Sequence, residues 1–485
     1  MALALCGVVA ATLTASASCS PDPGFPATAL DAGAEASADA ATDTSVGTPD
    51  VALDARRDVG DFPLAKGDPC RGTPLPLDRH FVPTGMCARL VARVEGSARQ
   101  IAFAPNGDLF VATYEGDALL LRDDDADGSY SPTEIHRYAM NGTALGNNVE
   151  ITADHVYAGT QDSVVRWPYA PKALAPAGAR EVVVSGLPQL GGHPLHTVHV
   201  WDGWLYVHAG SADNMTNPMS PAYDTDRSLL KRFKLADFKP GAPLAWKTGE
   251  VVAVGLRNML GYTRNAAGKM FGVVNGIDDI SYRSADVHED NPGEQIVELG
   301  VGRRYGYPFC FTAQHIVVGG SVVPAGTQLL NEGFLSPYDD TWCALNSERP
   351  ATFVQAHTAP LDILFFDAHP RGALPERWRG GAFVSLHGSV DRSVFTGYKV
   401  VWIPFDAAGK TPMPVSTPTG ASFPYETVFG GGTSSGPVDG LWTWTAGGVS
   451  ESPRPVGLAI SPVDGALYVS SDLGGFVYRV GVSPK

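Results

Sequence analysis

In the stretch VGLRNMLGY, Val254 to Tyr262, an arginine and an asparagine interrupt two apolar runs. Arg257 is a permanent cation with five donors in a planar fork, and Asn258 adds an amide. Where a strand enters a core, such a pair either ties down a loop or aims its donors at an anionic ligand. A second stretch, GGHPLHTV, brings His193, His196 and His199. An imidazole changes protonation state near neutrality and suits a general base. Three-residue steps along a strand send the rings to different faces, which makes the trio a poor metal site. A third stretch, DDDADGSYSPTE, holds Asp123, Asp125, Asp127, Gly128 and Glu134 in the pattern D-x-D-x-D-G-x5-E. Alternating carboxylates, a glycine for the sharp turn and a terminal glutamate form the spacing of a calcium loop. With a strand-like LLLR before it, the loop is expected on a β-hairpin, binding calcium structurally, or else remaining an unfilled acidic turn.

These side chains need a scaffold, and the chain advertises one. Segments such as ARQIAFAPNGDLFVATYEG, VEITADHVYAGTQDSVVRW, HTVHVWDGWLYVHAGS, LGYTRNAAGKMFGVVNG and PVGLAISPVDGALYVSSDLGGFVYRV share a shape. Each is an alternating strand, a polar turn with Gly or Asp, a second strand and a small-residue end, and Asn-Gly or Asp-Gly turns mark antiparallel hairpins. A sixth unit runs through LDILFFD, GGAFVSLHGS and GYKVVWIPF. Repeated hairpins without a long amphipathic helix predict an all-β, six-bladed β-propeller of four-stranded antiparallel blades. Spacing wider than the roughly 40 residues of a compact blade leaves long loops on one face for a site.

The bulk properties set limits on partners. The 485 residues carry a formal charge of −16, so an anion must be held by locally placed arginines, and nucleic acid is an unfavourable partner. Residues 1–18, MALALCGVVAATLTASAS, read as an export signal, and Ser16-Ala17-Ser18-Cys19 resembles a lipoprotein box with Cys19 as the lipidation site. Residues 19–65 are rich in Ala, Asp, Thr and Pro, with nine acidic residues and two arginines, a composition expected to stay a disordered tether. The propeller domain is then 66–485, exported to the periplasm or cell surface on a lipid anchor. Of the six cysteines, Cys70, Cys87, Cys310 and Cys343 remain for disulfides; pairs 70–87 and 310–343 each close a local loop.

Nine segments, in order, resemble the glucose/sorbosone dehydrogenase family: GGH (191–193), VGLRN (254–258), VNGIDD (274–279), NPGEQIVEL (291–299), YGYPFC (305–310), AHTAPL (356–361), FVSLHGSVDRS (383–393), GYKVVWIPF (397–405) and RPVGLAISP (454–462). The resemblance covers roughly residues 90–481 and implies a six-bladed propeller that oxidises sugars with pyrroloquinoline quinone (PQQ) and calcium. It implies His193 as the base that takes the hydroxyl proton. Arg257 would stand beside the quinone oxygen, with Asn258, His387 and Arg454 as further cofactor contacts, and the carbonyls of Gly276 and Ile277 would hold the active-site Ca²⁺. This chain departs from the family pattern at His196, Val274, Ile277, Val390 and Asp391. With no C-x-x-C-H haem motif in the sequence, an external electron acceptor is expected. Two rivals remain: a propeller that only binds carbohydrate or protein at the surface, and a calcium-dependent lactonase built on Asp278, Asp279 and Glu294.

Overall fold

Six sheets follow one another along the chain, each opening on a short inner strand and stepping outward by antiparallel hairpins. The computed structural model describes residue 75 and residues 80–482 except 141–146, 190, 218–223, 335–336, 368, 370–371, 390, 414–424, 434–435 and 438–452. The expected signal, Cys19, the tether, Cys70 and Val390 therefore lie outside the described residues. The first five blades run outward from Ala98–Phe103, Val149–Ile151, Val198–Trp201, Asn258–Arg264 and Pro360–Phe365. The sixth starts at Pro455–Ile460, and its outermost strand is Met86–Arg93, paired with Phe476–Val482. The two ends of the domain thus close the ring in one sheet. Blades two, three and five carry a further edge strand: Leu244–Ala245, Arg303–Arg304 and His80–Phe81.

Local chemistry explains the hairpins. Trp201 faces Trp204 across the two-residue turn Asp202–Gly203, where both residues have positive φ, 52° and 77°. That is the mirror-image turn matching strand twist, and Asp-Gly is its preferred sequence. Packing explains the ring. Six hydrophobic clusters fall one at each interface between neighbouring blades. Every sheet is covered on both faces, so Leu109–Thr113, Ala382–Leu386 and Lys399–Ile403 are buried at every position. The inner strands approach closely around the axis. A Cβ on Gly457 would stand 2.5 Å from Gln100 Cα, and one on Gly261 2.7 Å from the Leu361 carbonyl oxygen.

One excursion leaves this pattern. Between Glu294–Leu299 and Thr352–Val354 of the fourth blade the chain forms the pairs Cys310–Thr312 with Gln328–Leu330 and Ile316–Val318 with Ser321–Val323, then the helix Asp340–Asn346. Asp339 caps that helix, accepting from Trp342 N at 2.7 Å. Cys310 and Cys343 are bridged, as expected. Cys87 is disulfide-bonded as well. Closing a loop of 33 residues contributes about 3–4 kcal/mol in the chain-entropy description. Cys310→Ser is expected to lower the denaturant midpoint accordingly, and an unchanged midpoint would show that the excursion folds without its staple.

Antiparallel order also decides where function can sit. The start of each inner strand and the loop after each second strand lie at the same end of the ring. Arg99, Thr197, Arg257, His357 and Arg454 occupy the first kind of position. Ser211, Gly276, His387 and Asp472 occupy the second.

Candidate active site

His193 lies on the lead-in to the third blade's inner strand. Its Nδ1 stands 2.8 Å from Ser211 Oγ, which is itself 2.7 Å from the Asp213 carbonyl. Burial, reinforced by the Arg257 guanidinium, pushes the imidazole down to about 4, so the ring is neutral at physiological pH. His196 and His199 go elsewhere: His196 Nδ1 meets the His208 carbonyl at 3.0 Å, and His199 Nδ1 meets Glu150 at 2.9 Å while its ring stacks on Trp201.

Arg257 is buried and acts as a structural clamp. Its Nε donates to the Asn214 carbonyl at 3.0 Å, and Nη2 reaches Asn214 Oδ1 at 2.8 Å and Asp278 at 3.3 Å. The same Asn214 amide accepts from Asp278 N and donates to the Asp278 carbonyl. Arg257 Nη1 makes no hydrogen bond among the described residues. Asn258 stands at the same end: one hydrogen of its amide nitrogen is bonded to Asn275 Oδ1 at 2.8 Å, and its Oδ1 lies 3.4 Å from where a Cβ on Gly210 would stand.

The loop Gly276–Asp278 is pinned from below. Gly276 N donates to Glu294 Oε2 at 2.6 Å, and Asp278 pairs with Arg257 and with His357 Nδ1 at 3.5 Å. Ion pairing with His357 and Arg257 outweighs the desolvation that would raise the Asp278 carboxyl, and holds it below its usual range. The Gly276 and Ile277 carbonyls accept no hydrogen bond among the described residues, leaving two oxygens of the type a hard cation takes. Asp278, Asp279 and Glu294 do not form one metal group among the described residues; Asp278 and Glu294 have the partners above, and Asp279 is exposed.

The sixth blade supplies the other half of the site. Asp472 accepts from His387 Nε2 at 2.8 Å and lies 3.5 Å from Arg99 and 3.8 Å from Arg454. Burial would raise this carboxyl, but His387, Arg454 and Arg99 bring it down to about 2. Three basic groups thus surround one carboxylate. Among the described residues Arg99 Nε and Asp472 Oδ1 are buried without a hydrogen-bond partner, and two guanidiniums beside one carboxylate leave the positive charge that a polycarboxylate ligand needs. Removing Asp472 strips the buried Arg99 of its counter-ion, so Asp472→Ala is expected to cost about 3 kcal/mol, read by urea unfolding. A stability within experimental error of the parent would mean the cluster is not coupled to folding.

A polar belt joins the halves. Asn147 Oδ1 accepts from Arg99, and Asn147 Nδ2 donates to Thr197 Oγ1 at 2.6 Å. Thr197 Oγ1 and Gln100 Nε2 both donate to the Leu260 carbonyl. The structure therefore brings together His193, Arg257, Asn258, Gly276, Ile277, His387 and Arg454 at one end. Ser211, Asn214, Asp278, Glu294, Arg99 and Asp472 join them, of which only Asp278 and Glu294 drew notice in the sequence, in another role. A signal existed for Ser211 and Asn214 in the small-residue end HAGSADN after a second strand.

The acidic loop sits at the opposite end, between the third and fourth strands of the first blade. Asp123, Asp125 and Glu134 lie within 4.8 Å of one another. Asp127, expected to join them, stands outside this group and accepts from Ser129 N at 2.6 Å. Glu134 also caps its own short 3₁₀ turn through Ser131 and accepts from Asp124 N.

Six blades with a buried neutral imidazole, a buried guanidinium and the His387–Asp472–Arg454–Arg99 cluster at one end define a β-propeller with a polar site at that end. Comparison with known proteins narrows this class. The chain belongs to the TrAA12-like family, whose model matches residues 81–483. It is 25% identical over 431 residues to a pyrroloquinoline quinone-dependent pyranose dehydrogenase of Coprinopsis cinerea, covering 85% of this chain and 56% of that protein. The chain thus spans little more than half the length of that relative. It is 26% identical over 353 residues to a pyrroloquinoline quinone-dependent sugar dehydrogenase of Hypocrea jecorina, covering 69% and 77%. The fold matches the holo form of the C. cinerea pyranose dehydrogenase PQQ domain with a TM-score of 0.71 at 24% identity, over 85% of this chain and 99% of that one. It matches a calcium structure of the Trichoderma reesei family AA12 enzyme equally well, TM-score 0.71 at 23% identity, over 85% and 100%.

Proposed function

We propose that this chain is a PQQ-dependent dehydrogenase that oxidises a hydroxyl of a sugar, an aldose or sorbosone-like substrate, with calcium beside the quinone. The observation that carries the reading is the gathering of a neutral histidine, an arginine with a free Nη1 and the His387–Asp472–Arg454–Arg99 corner at one end of the ring. Family membership and the names of the two curated relatives support it. When bound, PQQ supplies a two-electron acceptor for hydride, and Ca²⁺ supplies a hard Lewis acid.

The residues of the chain do the rest. His193 Nε2 takes the hydroxyl proton as hydride leaves the same carbon, which avoids building a free alkoxide. Arg257 keeps a positive charge facing the centre, where negative charge develops. Asn214 holds that guanidinium by two hydrogen bonds, so its direction is fixed before substrate arrives. Arg454, Arg99 and His387 offer donors to carboxylates, and the Gly276 and Ile277 carbonyls offer oxygens to the cation. We extend the proposal to export and to an external electron acceptor; bridged cysteines belong in an oxidising compartment, and residues 1–19 have the features of an export segment.

The decisive experiment is reconstitution of the purified chain with PQQ and Ca²⁺, a spectral titration, and addition of a panel of aldoses. A saturable quinone spectrum bleached by one sugar class establishes the activity. Absence of binding at saturating calcium removes the enzyme reading and leaves a propeller that binds carbohydrate or protein. We also assign a structural calcium to Asp123, Asp125 and Glu134. Chelation is expected to lower Tm by several degrees, by less in Asp123→Ala; equal shifts in both proteins would refute that site.

A further inference from the structure

The catalytic reading of His193 needs one nitrogen free of hydrogen, and the surroundings determine which. Ser211 Oγ lies 2.7 Å from the Asp213 carbonyl and 2.8 Å from His193 Nδ1. A carbonyl can only accept, and a hydroxyl has a single proton. The Ser211 proton therefore points to Asp213, and the hydrogen between Ser211 and His193 is carried by the imidazole. In a neutral ring the other nitrogen, Nε2, is then left with its lone pair.

Several features hold this relay still. Ser211 is fully buried, and its main chain accepts from His193 N and donates to the Arg257 carbonyl at 2.7 Å. A Cβ on the preceding Gly210 would stand 2.6 Å from His193 Cβ, so strand end and histidine loop are in direct contact. The Tyr307 hydroxyl, from the segment leading into the disulfide-bridged excursion, lies 3.1 Å from the same Asp213 carbonyl. Because the main-chain bonds do not need the hydroxyl, removing Oγ alone leaves the backbone of the site in place.

We propose that Ser211 is the positioning residue that fixes His193 as the Nδ1–H tautomer and so exposes Nε2 as the base. The role in catalysis rests on the proposed dehydrogenase activity, whereas the tautomer does not. The test therefore begins with the full chain free of cofactor, labelled with ¹⁵N-histidine, in which two-bond ¹H–¹⁵N correlations show which ring nitrogen carries hydrogen. The expected result is Nδ1–H in the parent and a shift to the Nε2–H form in Ser211→Ala. A parent with hydrogen on Nε2, or a tautomer unchanged by Ser211→Ala, overturns the assignment.

A kinetic arm follows on protein loaded with PQQ and Ca²⁺. Single-turnover bleaching at saturating sugar is expected to slow about 10- to 100-fold in Ser211→Ala, with the quinone titration midpoint and KM nearly unchanged. Ser211→Thr, which keeps the hydroxyl, is expected to recover most of the rate. A loss confined to KM or to quinone affinity counts against a positioning role. If the parent itself never bleaches, the functional proposal fails, and the tautomer measurement still decides for or against Ser211.

Discussion

His193→Ala is expected to slow sugar-dependent bleaching of the quinone about 10²- to 10⁴-fold, the range a positioned general base supplies. The quinone titration midpoint should stay within about twofold, since the ring is assigned to the substrate proton and not to a carboxylate of the cofactor. The pH profile carries an independent signature. Burial and the neighbouring Arg257 hold the imidazole at about 4, against about 6.5 for an unperturbed histidine. Only the neutral ring can accept a proton, so the rate should stay level on acidification through pH 6.5 and fall only as pH approaches about 4. Single-turnover rates across pH 3.5 to 8 give this directly; burial pushes Glu294, beneath the Gly276 loop, up to about 7, so an inflection near 6.5 that persists in Glu294→Gln would exclude the buried histidine as the base. Stability moves the opposite way in the intervening range. The unfolded chain binds a proton at His193 and at His208 below about pH 6.5. In the fold, burial keeps these rings neutral down to about 4 and about 3. Folding is therefore progressively weakened as pH falls from 6.5, and rates at the acid end must be read on protein shown to be folded.

Arg257→Ala is expected to have the second large effect, a loss of about 10²- to 10³-fold in turnover, comparable to deleting one preorganised donor. Weaker quinone binding should accompany it. The same change removes both bonds to Asn214 and one of the two partners of Asp278, for about 1–3 kcal/mol of stability. A wholly structural arginine would lose that stability and, once refolded and loaded, turn over normally. Arg257→Lys separates the contributions further. A point charge on a flexible stem restores charge but cannot reproduce the planar two-bond fork on Asn214. Partial recovery of binding without full recovery of rate is the expected outcome, whereas complete recovery by lysine would show that charge alone matters.

Much of the architecture was readable because its determinants are local. Asp202–Gly203 demands a two-residue hairpin whatever surrounds it, and six hairpin units, with turns of varied length, in 400 residues imply blades. Closure was not readable. Met86–Arg93 joins Phe476–Val482 across almost the whole domain, and nothing in either strand announces the other. Nor did alternation survive everywhere: Lys399–Ile403 is buried throughout, because a blade is covered by neighbours on both faces.

The site divides in the same way. His193, Arg257, His387 and Arg454 stand in recognisable segments, and their chemical types alone suggested a base and an anion-binding set. Asp472 and Arg99 had no such flag. They meet only because the first and sixth blades are adjacent in the closed ring, 373 residues apart along the chain. In the acidic loop, spacing placed four carboxylates in the set; the structure gathers Asp123, Asp125 and Glu134, while Asp127 accepts a main-chain bond from Ser129. What the sequence by itself determined was strand period, turn type, the six-unit rhythm and the inventory of reactive side chains, all properties of a few consecutive residues. What the tertiary structure alone decided was which of those side chains share an end of the ring, which donors remain free and which tautomer His193 adopts. Those depend on contacts, within and between blades, that local propensity does not encode.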